Sequence, residues 1–336
     1  MAVITVLLPI YNGAAFLEET LQSLKQQSFP DFEVLCIDDC STDDSAEIVR
    51  SLAAEDGRFV YLHTGSNLGS APKAINFAAP QATGTWFVYS SQDDLFSDDW
   101  LAKLHHHAVD TGADAVLPDV VFYHSDETAD RTLVGYHGDR TAIVTGKEAF
   151  VASLDWSIAG NALWPMSFLK SHGFEEFGAF ADEYTVRSFF LRCGKVAFCD
   201  GVFFYRQDNA AAITKKPSKS LLESPDANLR LWNLVMDNQF GPDVHGPLAL
   251  RVLRGTIRAQ ALIINHPHLA PEGHLVDSVW ATMQSSDAFQ ASLASLRHSP
   301  KHRLRAKLVC PAARSRLWFL TLARLSAFFS RNRGPR

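Results

Sequence analysis

The chain predicts an α/β fold, a mostly parallel sheet flanked by helices with a helical C-terminal extension, and three observations lead there. Short β-branched and aromatic runs alternate with helical-period segments up to Tyr89, polar loops follow each run, and from about Pro217 the pattern turns wholly helical. With 336 residues, 47% of them apolar, the chain can bury a sizeable core in one large domain or two ordinary ones.

Residues 3–8 form a β-branched run ending at Pro9, and residues 14–27 carry apolar side chains at Phe16, Leu17, Leu21 and Leu24, a helical spacing. The unit repeats as strand 32–37, helix 43–54, strand 59–63, helix 71–79 and strand 86–89. Such alternation needs crossover connections, hence a parallel sheet covered on both faces. In open parallel sheets ligands bind beyond the carboxyl ends of the strands, so the loops PIYNG, DDCSTDDS, TGSNLGS and SSQDDLFSDDW share one crevice. Extended stretches at 115–123 and 196–205 flank a helix over 183–192. Helices are expected near 221–236, 247–265 and 275–296, with a basic amphipathic helix over 301–333. The expected division is a catalytic domain at 1–214, a helical region at 215–300 and a tail at 301–336.

The net charge is −6, yet nothing after Asp287 is acidic, so an acidic body carries a basic tail. Arg314, Arg324 and Arg331 lie with Thr321 on one stripe, and Leu317, Trp318, Leu320, Leu322, Leu325, Phe328 and Phe329 fill the remainder. Arg324 interrupts the apolar run well short of the ~20 residues of a span, so the helix is expected to lie in a membrane interface, with packing on the body as the alternative. Nucleic acid is not an expected partner. The five cysteines include no CxxC pair and read as reduced thiols, and MAVITVLLPIYNG lacks a basic leader and turns polar early, which gives a cytoplasmic expectation. No GxGxxG follows the first strand and no GxxxxGK[ST] occurs, which argues against dinucleotide oxidoreductases and P-loop enzymes. The triplet His105, His106 and His107 cannot converge on one ion, because successive helical residues point about 100° apart.

The stretches VLLPIYNGAAFLEETLQSLKQQSFPDFEVLCIDDCSTDDS, NLGSAPKAINFAAPQATG and SSQDDLFSDDWLAKL together resemble the family 2 glycosyltransferases, and the likeness extends more loosely to about residue 214. The resemblance implies a GT-A, Rossmann-like catalytic domain. It also implies inverting transfer of a sugar from a nucleoside-diphosphate donor, a UDP-sugar, to a glycan or lipid-linked acceptor in bacterial surface polysaccharide assembly. Pro9, Tyr11 and Asn12 offer a rigid, aromatic surface for a base. Asp38 and Asp39 end the second strand, and the resemblance gives Asp39 the base contact; Asp39 and Ser41 can also cap the next helix. Asn67 and Lys73 face the nucleotide or, for Asn67, cap the third helix.

Ser91-Gln92-Asp93-Asp94 stands where the family has its DxD motif. Asp93 is the expected ligand of Mg²⁺ or Mn²⁺, with Ser91, Gln92 and Asp94 beside the donor, but Ser91 replaces the first acid. Asp182 is the expected general base, Glu183 its alternate, with Arg187 and Gly194-Lys195 at matching spacing. Asn161 and Trp164 resemble the acceptor wall, with core packing as the alternative for Trp164, and Arg206 matches a position that faces donor phosphates or braces the sheet. A degenerate, non-catalytic sugar-binding subunit is the rival reading; a sugar-1-phosphate nucleotidyltransferase would begin with a glycine-rich basic loop instead of PIYNG.

Overall fold

A computed structural model describes residues 2–126, 128–212, 215–296 and 302–331. The chain divides into two compact units, Met1–Glu176 with Ala181–Asn209, and Phe177–Phe180 with Ala210–Arg336.

The first unit opens with β1 (Ile4–Ile10), α1 (Ala14–Lys25), β2 (Phe32–Asp38), α2 (Ser45–Glu55), β3 (Phe59–His63), α3 (Ala71–Ala78) and β4 (Trp86–Tyr89), each within a few residues of its expected bounds. Then follow β5 (Leu95–Phe96), α4 (Trp100–Thr111), β6 (Ala115–Tyr123), β7 (Ala129–Leu133), α5 (Gly146–Leu154), β8 (Trp164–Pro165), α6 (Met166–His172), α7 (Ala181–Phe190) and β9 (Val196–Arg206). One sheet has the order β3-β2-β1-β4-β8, with β8 antiparallel; a second has the order β5-β9-β6-β7, where only β6 and β9 run parallel.

Strand β1 is central because Ile4, Val6, Leu7 and Leu8 are fully buried, the near-continuous apolar run of a strand covered on both faces. The chain adds β2 and β3 on one side of it and β4 on the other, which makes the gap between β1 and β4 a topological switch point. The register shows where that gap opens. Pairing with β4 stops at Leu7↔Tyr89, whereas pairing with β2 continues to Ile10↔Asp38. Leu7 O accepts from Ser90 N on the β4 side, so Pro9, two residues on, would direct an N–H toward a strand that has already ended. Proline is tolerated there because no ladder bond is lost.

Helix α7 is fixed at the edge of this sheet by aromatic rings. Phe189 lies 6.3 Å from Phe87, 5.5 Å from Trp164 and 5.8 Å from Phe174, centroid to centroid. On its other side stands α5, begun by a capping box in which Thr145 and Glu148 satisfy each other's backbone N–H groups.

The second unit is helical: α8 (Lys219–Asp237), α9 (Pro242–Asn265), α10 (Gly273–Ser285), α11 (Asp287–Ser295), α12 (Arg303–Val309) and α13 (Arg316–Arg331). Two expected single helices are each divided. Over 275–296 the break is Ser286, whose Oγ accepts from Phe289 N and caps α11. In the tail, a 3₁₀ turn at Cys310–Ala313 containing Pro311 separates α12 from α13; residues 301, 332 and 333 of that expected helix lie outside the described residues. No helix among the described residues is long and apolar enough to cross a membrane.

Gly146 tests the α5–α7 contact. A Cβ there would sit 2.0 Å from Phe190 O and 2.4 Å from Cys193 O, both backbone. Gly146→Ala is expected to lower unfolding free energy in urea by about 1–3 kcal/mol, the range for overpacking.

Candidate active site

The loops after β1, β2 and β4 are joined by side chain to backbone hydrogen bonds. Asn12, held at φ 50°, accepts at Oδ1 from Thr42 N at 2.8 Å, and its own N–H donates to Ser41 Oγ at 3.0 Å. Gly13 N donates to Ser45 Oγ and Ala14 N to Asp43 Oδ2, so donors at the start of α1 are satisfied from the β2–α2 loop. Across the switch point, Gln92 Oε1 accepts from Tyr11 N at 2.7 Å and Gln92 Nε2 donates to Tyr11 O at 3.0 Å. That amide closes the gap left where β1 and β4 part. Glycine is required beside it, since a Cβ on Gly13 would lie 2.4 Å from Gln92 Cδ. The clamp leaves the Tyr11 ring half exposed.

Asp38 and Asp39 are both buried, with separate partners. Asp38 accepts from Ser41 N and from the Tyr61 hydroxyl. Asp39 accepts from Leu68 N at 2.7 Å, Gly69 N at 3.1 Å and Thr64 Oγ1 at 3.0 Å, and so shapes the loop after β3, where Gly69 has φ 81°. Neither aspartate caps α2; Asp43 takes the Ser45 amide instead. Asn67 Nδ2 donates to Asp39 O, and Lys73 lies in the first turn of α3. Ser70, at the N-cap of α3, makes no capping bond.

In the β4–β5 loop Ser91 is exposed and Asp93 partly so. Asp93 Oδ2 accepts from Asn209 Nδ2 at 2.7 Å. Asp94 turns inward, accepting from Arg206 N and Ser91 N, and burial, then the neighbouring Asp93, holds its carboxyl well above the usual range. Arg206 is buried between the rings of Phe16 and Tyr123. Its Nε donates to Asp93 O, Nη1 to Ser125 Oγ and Nη2 to Glu19 at 2.6 Å, so every nitrogen of its guanidinium is engaged within the protein.

Asp182 and Glu183 open α7 and differ in surroundings. Glu183 is paired with the buried Arg187, one turn on, whose guanidinium also donates to the Glu183 and Ser153 carbonyls and lies over the Trp156 ring. Asp182 has no such partner among the described residues. Burial, then the charge on Glu183, pushes its carboxyl up to about 7. The Tyr205 phenol is raised by burial and further by Asp94, Glu183, Asp93 and Asp182, and that of Tyr89 by burial, Asp182 and Glu183. Tyr205 therefore sits in the field of both acid pairs.

Asn161 is partly exposed in the segment before β8, whereas Trp164 is fully buried among Phe168, Phe189 and Phe190. Gly160 lets that segment approach α7, as a Cβ there would meet Val186 Cγ2 at 2.4 Å. The clamp made by Gln92 on Tyr11, with Gly13 leaving room for it, is the part of the site that sequence reasoning missed, for a glutamine beside acids signals a ligand contact as readily as a loop tie. The five cysteines are free thiols, with Cys36, Cys193 and Cys199 buried.

Acidic loops lie at the switch point of the parallel sheet, and residues 5–165 match the family described as Glycosyl transferase family 2. Among relatives, it is 28% identical over 223 residues to glycosyltransferase GlyG of Streptococcus pneumoniae, an alignment spanning 61% of this chain and 70% of GlyG. It is also 28% identical over 116 residues to the poly(ribitol-phosphate) beta-glucosyltransferase of Bacillus spizizenii, across 34% of this chain and 18% of that enzyme. Among solved structures, residues 1–349 of S. aureus TarS in complex with UDP-GlcNAc share the fold at a TM-score of 0.69 and 15% identity, covering 98% of this chain and 92% of that one.

Removing the clamp is measurable without a substrate. In Gln92→Ala the Tyr11 amide loses its acceptor, and its hydrogen exchange is expected to accelerate by about tenfold or more, with far-ultraviolet circular dichroism unchanged.

Proposed function

We propose that the chain transfers a sugar, with inversion, from a UDP-sugar to a glycan or lipid-linked acceptor during assembly of a bacterial surface polysaccharide, working at the cytoplasmic face of a membrane. The observation that carries the reading is the division of labour at the start of α7. Glu183 is neutralised by Arg187, and Asp182 is left with a carboxyl near 7, the range in which a base is most effective at neutral pH. The UDP-GlcNAc seen with TarS and the polymer named for the Bacillus relative support the donor and acceptor classes.

In this mechanism Tyr11 receives the base on its exposed ring, and Asp39, through the amides it orders, shapes the wall beside it. Asp182 takes the proton of the acceptor hydroxyl as that oxygen bonds to the anomeric carbon. The bond from that carbon to the diphosphate oxygen breaks on the opposite face, and the nucleoside diphosphate departs with the electron pair. One base and no protein nucleophile give one displacement and hence inversion.

Asp93 would hold Mg²⁺ or Mn²⁺ against the donor diphosphate. The donor set fits an ion that arrives with its substrate: Asp93 is partly exposed, Asp94 has its oxygens engaged inside, and no group of three or more His, Cys, Asp or Glu suited to an ion occurs among the described residues. Magnesium commonly uses one or two carboxylates plus substrate phosphates. When bound, such an ion offsets the charge that gathers on the leaving diphosphate.

Ser91 in place of the first acid favours one other reading, a subunit that binds nucleotide sugar without turnover. Kinetics separates the two. Asp182→Asn is expected to lower kcat by about 10²–10⁴, the contribution of a general base, while donor affinity by calorimetry changes less than about twofold. Because the base acts deprotonated, kcat/KM should rise with pH and level off above about 7. Arg187→Met removes a cation that lowers the Asp182 carboxyl and should move that midpoint upward. Wild-type turnover in Asp182→Asn would remove the proposed base, and donor binding without turnover for every nucleotide sugar would favour the binding subunit.

A further inference from the structure

Helix α13 turns Phe319, Ala323 and Ala327 inward, a spacing of four that leaves the opposite side to solvent. A solvated side is ordinarily polar. Here it carries Leu317, 79% exposed, and Phe328 and Phe329, 60% and 59% exposed, with Leu325 and Trp318 alongside. Helix α12 adds exposed Leu304 and Leu308, and Trp318 Nε1 donates to Leu308 O at 3.0 Å, which joins the two helices at that point. A contiguous group of large apolar side chains of this kind marks an interaction surface. Lys307, Arg314 and Arg324 are exposed on the same two helices and the turn between them, and the sequence has no carboxylate after Asp287. Asp277, on α10, is already paired with Arg316.

A second observation falls on the same turns. Between α9 and α13 lies a cleft of about 520 Å³ lined by Arg258, Asn265, His266, Ser326, Ser330 and Arg331, with no carboxylate in its wall. Asn265 orients it, accepting from Arg331 Nε at 2.6 Å and donating to Ser330 Oγ at 2.9 Å. Asn265 and Ser330 also donate to Ala327 O and Arg331 to Ile264 O, so Arg258, His266, Ser326 and the remaining Arg331 N–H groups are the donors the cleft offers to phosphate oxygens. Ser326, Ser330 and Arg331 fall within the same two turns of α13 as Phe328 and Phe329, the two serines on the side turned toward α9 and the rings on the side turned to solvent.

We propose that this face docks on an anionic phospholipid bilayer, with the exposed side chains of α12 and α13 in the headgroup boundary and a lipid phosphate in the cleft between α9 and α13. Apolar, aromatic and cationic residues on one in-plane helix are the composition of interfacial binding. A second copy fits poorly, because a two-fold contact of this face with itself sets cation against cation. The proposal rests on the membrane part of the reading above and not on the transfer chemistry, and its test needs no turnover.

The full chain is floated with vesicles of phosphatidylcholine alone and of phosphatidylcholine with phosphatidylglycerol. Binding to the anionic vesicles is expected to be at least about tenfold tighter. Leu317→Glu with Phe328→Glu, both at exposed positions, should reduce it to the phosphatidylcholine level. Arg258→Gln, also exposed, should weaken anionic binding by about fivefold and leave the neutral vesicles unaffected; it tests the cleft independently should the double variant melt early. Equal flotation of wild type and both variants overturns the proposal. So does absence of vesicle binding together with a dimer, in sedimentation velocity, that the double variant dissolves, since a second copy would then be the occupant.

Discussion

Two hydrogen bonds between one side-chain amide and one backbone unit hold the catalytic end of this protein together. The sheet itself parts there: β1 continues on β2 after β4 has ended, and Pro9 offers no donor across the gap. Gln92 supplies the missing rungs by mimicking a peptide group toward Tyr11. The loop that presents an aromatic ring and the loop that presents Asp93 thereby move as one body, which matters because a site that must bind a base and a diphosphate at fixed separation gains from preorganisation. The need for glycine at position 13 follows from the same amide.

Electrostatics at the start of α7 depends on a different economy of contacts. Adjacent carboxylates ordinarily raise each other, and a helix start favours both as anions. The buried Arg187 resolves the competition by taking Glu183, so the remaining burden of burial and like charge falls on Asp182. Its carboxyl is thus pushed up to about 7, and burial with the nearby acids raises the Tyr205 and Tyr89 phenols, which stay protonated and can donate hydrogen bonds.

Much of this was legible in the residues. Periodicity located β1 and β2 because buried parallel strands are near-continuous apolar runs, and the shorter runs of β3 and β4 stood out against the polar loops around them. Less visible were features decided by distant partners. Nothing local marks Ser286 as a break until its hydroxyl is seen to cap the next helix. Trp164, an aromatic in a plausible acceptor wall, lies in the core because Phe189 and Phe190 come from a helix some twenty residues on. Arg206 matched a position that faces donor phosphates or braces the sheet, and the choice depends on distant partners, for its guanidinium is engaged by Glu19, Ser125 and Asp93 O. The tail displays its oily residues outward because three small or inward-facing positions, Phe319, Ala323 and Ala327, suffice to seat it.

The Arg206 brace has a reach that its burial conceals. Through one guanidinium, a glutamate on the outer surface of the first helix is connected to the backbone of Asp93. Replacement of Glu19 would therefore be transmitted inward as a small displacement of the β4–β5 loop. Position 19 is in this way a remote tuning screw, able to shift the loop of Asp93 while every residue of that loop stays the same.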